Sequence, residues 1–279
     1  MKIGEALRKI RLKLGLSQAK MCEGIVQRPF YALVESSKSG ISAESLMMLL
    51  IKHKIDINYF FELISETYTP DDEKLNQTFQ KEMNSAVLSK DITLMSRICT
   101  AILQSSNDEI LKFRAIVTTS YFLDDVNLIN NQLKLSIFKK FDENEQWIYS
   151  PDLLRLLANT MPIWDQEALD FLMERLLKTL EKDEKFSELM VERYLRMFEN
   201  YLMVCYHRKA YKIKEIHICI DEVIQTILRL TSSLHFMIYR FNAYYMHALF
   251  MENKEKAKKI LVILGQMGYS ELIASWPVV

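Results

Sequence analysis

The chain has 279 residues, 49% of them hydrophobic, which is enough to bury a sizeable core in one large domain or in a small and a larger one. Its 36 basic and 36 acidic residues balance, which excludes a uniformly polyanion-binding protein. The balance is uneven, however: residues 1–55 hold 10 Lys/Arg and 4 Asp/Glu, which points to a polyanion partner for that head alone.

Helix signals begin at once. Residues 2–14 place Ile3, Leu7, Ile10 and Leu14 on one stripe, and Gly15 ends that helix. Ser17 caps a second helix over 17–24, with Ala19, Met21 and Cys22 as its apolar members, and Gly24 closes it. Gln27 or Arg28 opens a third, with Pro29 in the first turn, where its missing N–H does no harm. Tyr31 and Val34 are expected to face inward, with Leu33 a further candidate. Ser36 to Gly40 is a polar loop, Ser42 caps a fourth helix, and residues 56–66 form a fifth.

Residues 67–72, broken by Pro70, read as a linker between domains at 1–66 and 73–279. Ten further helices are expected at 71–89, 91–105, 108–123, 125–140, 150–161, 165–182, 186–207, 213–230, 232–252 and 254–267, many opened by Asp, Asn, Ser or Thr. Successive pairs span about 35 to 45 residues, the scale of TPR-like repeats. No glycine occurs between 41 and 264. Strand-rich folds need glycine at positive-φ turns, and phosphate-cradling loops need it near the phosphates. The fold class is therefore all-α: a five-helix head followed by a right-handed TPR-like helical-repeat domain.

The start MKIGEALRKIRLK is amphipathic and charged, unlike a signal segment. No apolar run approaches the roughly 20 residues that cross a bilayer. Cys22, Cys99, Cys205 and Cys219 lack metal-site or CxxC spacing. A cytoplasmic protein with no membrane partner, metal or cofactor is expected. His53, His207, His217, His235 and His247 form no HExxH and no nucleophile pair, and Asp71-Asp72 and Asp124-Asp125 sit at helix starts, where the helix dipole favours them. No enzymatic activity is expected.

In the head, two short helices with a tight connection are the layout of a DNA-reading helix-turn-helix. The second of them would lie in the major groove, with Gln27, Arg28, Phe30 and Tyr31 near base edges. Arginine can fork to guanine and glutamine can pair with adenine. Gln18 is placed to bond a phosphate, Ser36 and Lys38 can reach the backbone, and Lys13 and Lys20 could add charge. Arg11 and Glu35 are expected to pair inside the domain.

LSQ at 16–18, Arg11 six residues before Ser17, and Glu35 ending the third helix resemble the lambda-repressor/Cro-like (XRE) helix-turn-helix. CEGIVQRPFY is also similar to the N-terminal domains of Rgg/GadR/MutR-type regulators of Gram-positive bacteria. The resemblance is strongest over 3–62 and looser after 70. The turn between the second and third helices is one residue shorter than the general pattern, and Ser36-Ser37 replaces the usual Arg-Gly. Ala43 stands where some relatives carry a dimer-crosslinking cysteine, so no such disulfide is expected.

In the body, Arg155 and Asn159 are i and i+4, as are Arg196 and Asn200, and the pairs lie 41 residues apart. Stacked repeats would turn both toward one groove. Asparagine offers a donor and an acceptor to an extended peptide backbone, and arginine a fork to a carboxylate. The resemblance implies such a use of inner-helix Asn and Arg. Arg240 and Tyr244 are further candidates, with Asn242, Arg193 and His207 behind them. Tyr201 and Trp164 could line the groove or pack the core. The expected function is a homodimeric transcriptional regulator that binds a double-stranded DNA operator and a short hydrophobic signalling peptide. The alternative is a helical-repeat interaction module whose head docks a protein.

Overall fold

The computed structural model describes residues 1–124, 129–143, 146–182, 185–210 and 214–277, and for 214–218 the backbone alone. Among the described residues every regular element is helical. The chain divides into two compact units, Met1–Gln77 and Thr78–Val279.

The first unit holds α1 (Ile3–Lys13), α2 (Gln18–Cys22), α3 (Arg28–Glu35), α4 (Ala43–Lys52) and α5 (Ile57–Tyr68). Ser17, Ser42 and Asp56 accept backbone N–H groups at the starts of α2, α4 and α5, satisfying donors that have no partner within the helix. Gly15 and Gly24 stand at φ 67° and 74°, where a side chain would be strained. Leu7, Ile10, Met21, Tyr31, Val34, Leu49, Leu50 and Phe60 close one core. Two expectations fail here. Leu14, just past the end of α1, and Leu33 are both 46% exposed. On α3 the inward stripe is Tyr31, Val34 and Glu35, so Leu33 falls on the outward stripe with Phe30. Gly4 lets α1 lie against the end of α3, since a Cβ there would stand 1.7 Å from the Val34 carbonyl oxygen.

The expected linker at 67–72 is mostly helix. α5 runs to Tyr68, α6 spans Asp71–Leu88, and Thr69 and Pro70 alone lie between them. Asp71, Asp72 and Glu73 crowd the first turn of α6, where the N-terminal dipole stabilises them. The boundary between the two units falls within α6.

The rest of the chain forms α7 (Ile92–Ser105), α8 (Glu109–Leu123), α9 (Asn131–Asp142), α10 (Pro151–Thr160), α11 (Gln166–Lys182), α12 (Glu188–His207), α13 (Lys214–Leu230), α14 (Met237–Phe250), α15 (Lys254–Gln266) and α16 (Ser270–Ile273). Asp91, Asp108, Asn130, Ser150, Ser187 and Asn253 cap the helices that follow them. The expected starts at 125 and 213, together with Asp125 and the side chain of His217, lie outside the described residues. Short 3-10 turns at Met161–Ile163 and Leu234–Phe236 shorten two expected helices. α8, α10, α12 and α14 are successive neighbours in one file, and α11 packs on α13. Tyr201 and Trp164 belong to the core. The architecture is all-α, a five-helix helix-turn-helix head followed by TPR-like repeats.

Candidate functional site

The head is built on a buried ion pair. Arg11 donates from Nε and Nη2 to the two Glu35 oxygens at 2.6 and 2.8 Å, and its Nη1 donates to the Leu16 carbonyl at 2.9 Å. Gln18 Nε2 adds a bond to Glu35 at 2.9 Å. Burial alone would raise the Glu35 pKa, but these donors, Arg11 first, hold it below the usual glutamate value. The Glu35 bonds raise the Arg11 pKa against burial. The end of α1, the start of α2 and the end of α3 are thereby fixed relative to one another, which sets the aim of α3.

That aim leaves Gln27, Arg28 and Phe30 exposed at the start of α3, with Ser36 and Lys38 exposed beyond its end. Arg28 has no hydrogen bond or ion pair among the described residues, so its guanidinium fork is available. Tyr31 must be withdrawn as a base-contacting residue. It is fully buried one turn into α3, beside Glu35 and Arg11, where a duplex cannot reach it. Gln18 spends one amide donor on Glu35, and Lys13 and Lys20 are engaged by Tyr59 and Glu23.

In the second unit, α6, α8, α10 and α12 enclose a cavity of about 340 Å³. Asn159 and Asn200 both line it. Asn159 Oδ1 accepts from Arg114 Nε at 2.9 Å, and Asn200 Nδ2 donates to the Ala158 carbonyl at 3.3 Å. This leaves the Asn159 amide N–H groups and the Asn200 oxygen without partners among the described residues. A free donor and a free acceptor therefore share a lining that mixes apolar Met83, Val87, Leu111, Phe122, Pro162 and Met203 with polar Gln80, Asn84 and Thr118. His207 also lines this space.

The paired arginines are placed differently from the expectation. Arg155 bonds Gln80 at 3.0 Å and lies 3.9 Å from Asp152, and Arg196 pairs with Glu192 at 2.8 Å, because carboxylates three and four residues back claim them. Neither lines the cavity. Arg240 donates to the Leu228 and Thr231 carbonyls at the end of α13, and Tyr244 stands 6.0 Å from its guanidinium, so both lie outside the cavity too. Glu199, beside Asn200, has its carboxyl pushed up to about 7 by burial, with Arg196 opposing. The residue missed in the sequence is Arg114. With Thr118 it repeats the Arg–Asn step another 41 residues upstream, and both line the cavity.

No protein-family model matches the chain, and no curated protein matches it. Solved structures do. The Streptococcus dysgalactiae SHP pheromone receptor Rgg2 superposes with a TM-score of 0.72 at 15% identity, over 98% of this chain and 97% of that one. A candidate transcriptional regulator from Listeria monocytogenes EGD-e gives 0.71 at 18% identity, over 97% and 92%. The PrgX/cCF10 complex gives 0.65 at 15% identity, over 98% and 89%. At these identities the likeness is one of fold, and it extends over nearly the whole length of each chain.

Proposed function

We propose that this chain is a cytoplasmic, DNA-binding transcriptional regulator that acts as a homodimer and is controlled by a short hydrophobic signalling peptide. The observation that carries the reading is the cavity wall of the second unit. Asn159 offers its spare amide N–H groups and Asn200 its spare oxygen in a lining that carries many apolar side chains, which suits the backbone of an extended apolar peptide. The names of the similar structures, a pheromone receptor and a receptor–peptide complex, support it. The head supports the DNA half, with Gln27, Arg28 and Phe30 exposed at the start of α3 and Ser36 and Lys38 exposed beyond its end. Exposed Met47, Met48, Ile51 and Phe61 on α4 and α5 favour a second reading, in which the head docks a protein.

The two readings part at Arg28. Duplexes selected from a randomised pool by the full chain should lose affinity for Arg28→Ala by about 5- to 100-fold, as for loss of one bidentate base contact. Circular dichroism should be unchanged, because Arg28 holds nothing in the head. Equal affinity of the two proteins for the selected duplexes would remove Arg28 from base reading.

A further inference from the structure

We infer that α3 reads thymine through an apolar outer face: Phe30 and Leu33 pack on the C5-methyl groups of thymines in the major groove of the operator. The inference rests on the DNA reading above and adds the base chemistry that the head selects. α3 is RPFYALVE, and Arg28 and Glu35 are its only charged residues. Glu35 is turned inward and held by Arg11. Phe30 and Leu33 are 38% and 46% exposed, and a spacing of three places them on one side of the helix. Pro29, between Arg28 and Phe30 in sequence, is exposed as well. Ser36 follows, and its hydroxyl donates to the Leu33 carbonyl at 3.0 Å. From Pro29 to Leu33 the outer face therefore presents no polar side-chain group. Base edges in the major groove carry acceptors and amino donors, which against such a face lose their water and gain no partner. The thymine methyl is the one apolar group there, so it alone is favoured by this surface. Charge identifies the occupant of the face as a duplex. Exposed Arg28 and Lys38 bracket the face, in a stretch of 55 residues with 10 basic and 4 acidic side chains. Phosphates on the walls of the groove meet those cations, while the methyl groups on its floor meet Phe30 and Leu33.

The test uses the full chain and duplexes that it selects from a randomised pool. Each selected duplex is remade with deoxyuridine in place of one thymidine at a time, a change that deletes the methyl group and keeps the base pair. Affinity is read by fluorescence anisotropy. Wild-type protein should bind the uridine duplex about 3- to 5-fold more weakly at one or two positions of the site, the worth of burying one methyl group, and equally well elsewhere. Phe30→Ala and Leu33→Ala, made singly, should each bring the ratio to about one at the position that the lost side chain covers. Both side chains are exposed, so both variants should melt with the wild type. Arg28→Ala should weaken binding yet keep the thymidine-to-uridine ratios, because it reads a different base. Equal affinity of the wild type for every uridine duplex would overturn the inference while leaving DNA binding in place. Ratios that persist unchanged in both Phe30→Ala and Leu33→Ala would mean that the methyl acts through the shape of the duplex, and would overturn it too. Failure of the wild type to select any duplex would overturn the DNA reading and this inference with it.

Discussion

Glu35→Ala is expected to destabilise the head by about 3–5 kcal/mol, because it leaves the Arg11 guanidinium buried without its partner. Arg11 and Glu35 are 9% and 4% exposed, so water cannot replace the lost bonds. The loss is a large fraction of the 5–15 kcal/mol that typically separates a folded domain from its unfolded chain. Both α1 and α3 are tied to this pair, so the effect should spread through the first unit. The readout can be made selective. The three tryptophans, Trp147, Trp164 and Trp276, all lie in the second unit, so their fluorescence reports that unit. Hydrogen exchange in α1 and α3 reports the head. The variant should lose amide protection in both helices while the tryptophan transition in urea stays put. Unchanged protection in α1 and α3 would contradict the account. The same pair sets a pH dependence. Glu35 has a folded pKa below its unfolded value, so its stabilisation is full above the ordinary glutamate range and is lost as pH falls through the depressed value.

The second large effect is expected in the cavity. Asn159→Ala with Asn200→Ala removes the spare donor and the spare acceptor together. Each hydrogen bond to a bound backbone contributes about 0.5–1.5 kcal/mol net, so the pair should lower retention of apolar heptapeptides by about 5- to 100-fold. Peptide-free DNA binding should be little changed, because both residues lie in the second unit. The bonds they make now, to Arg114 and to the Ala158 carbonyl, are partly solvated, so the fold should survive. Equal peptide retention by the double variant and the wild type would end the assignment of this wall to peptide.

The head was legible in the sequence because most of its breaks carry a chemical mark. Gly15 and Gly24 supply positive φ, and Ser17, Ser42 and Asp56 supply caps. Tyr31 lies one turn after Arg28, a spacing that points to a shared face, yet it is fully buried. Residues in the first turn of a helix project past its end, whereas Tyr31 lies far enough along α3 to be covered. The body was legible as helices and less so at their ends. Lys54 in the head, and Lys90, Asp124, Lys209 and Glu252 beyond it, take left-handed conformations that usually mark glycine, so these turns carry no residue signal. The 3-10 turn at Leu234–Phe236 continues an apolar run and reads as helix, and the one at Met161–Ile163 takes the last residue, Met161, of an expected helix.

The cavity was half legible. The 41-residue step between Asn159 and Asn200 points both asparagines to one groove, and both line the cavity. Helical phase alone points the arginines of the same pairs into the groove, whereas Asp152 and Glu192 on the same helices draw them aside. Extending that step once upstream would have found Arg114 and Thr118. What no spacing could show is that Arg114 lacks a carboxylate partner, since that depends on which side chains the fold brings near it.

The proposed regulator must engage duplex DNA through the exposed cations of its head. The direct measurement is fluorescence anisotropy of a labelled random-sequence duplex titrated with the full chain at several salt concentrations. Affinity should fall at least about tenfold between roughly 50 and 200 mM salt, as expected when several phosphates shed their counterions on binding. No binding at the lowest salt, or an affinity that salt does not change, would contradict it.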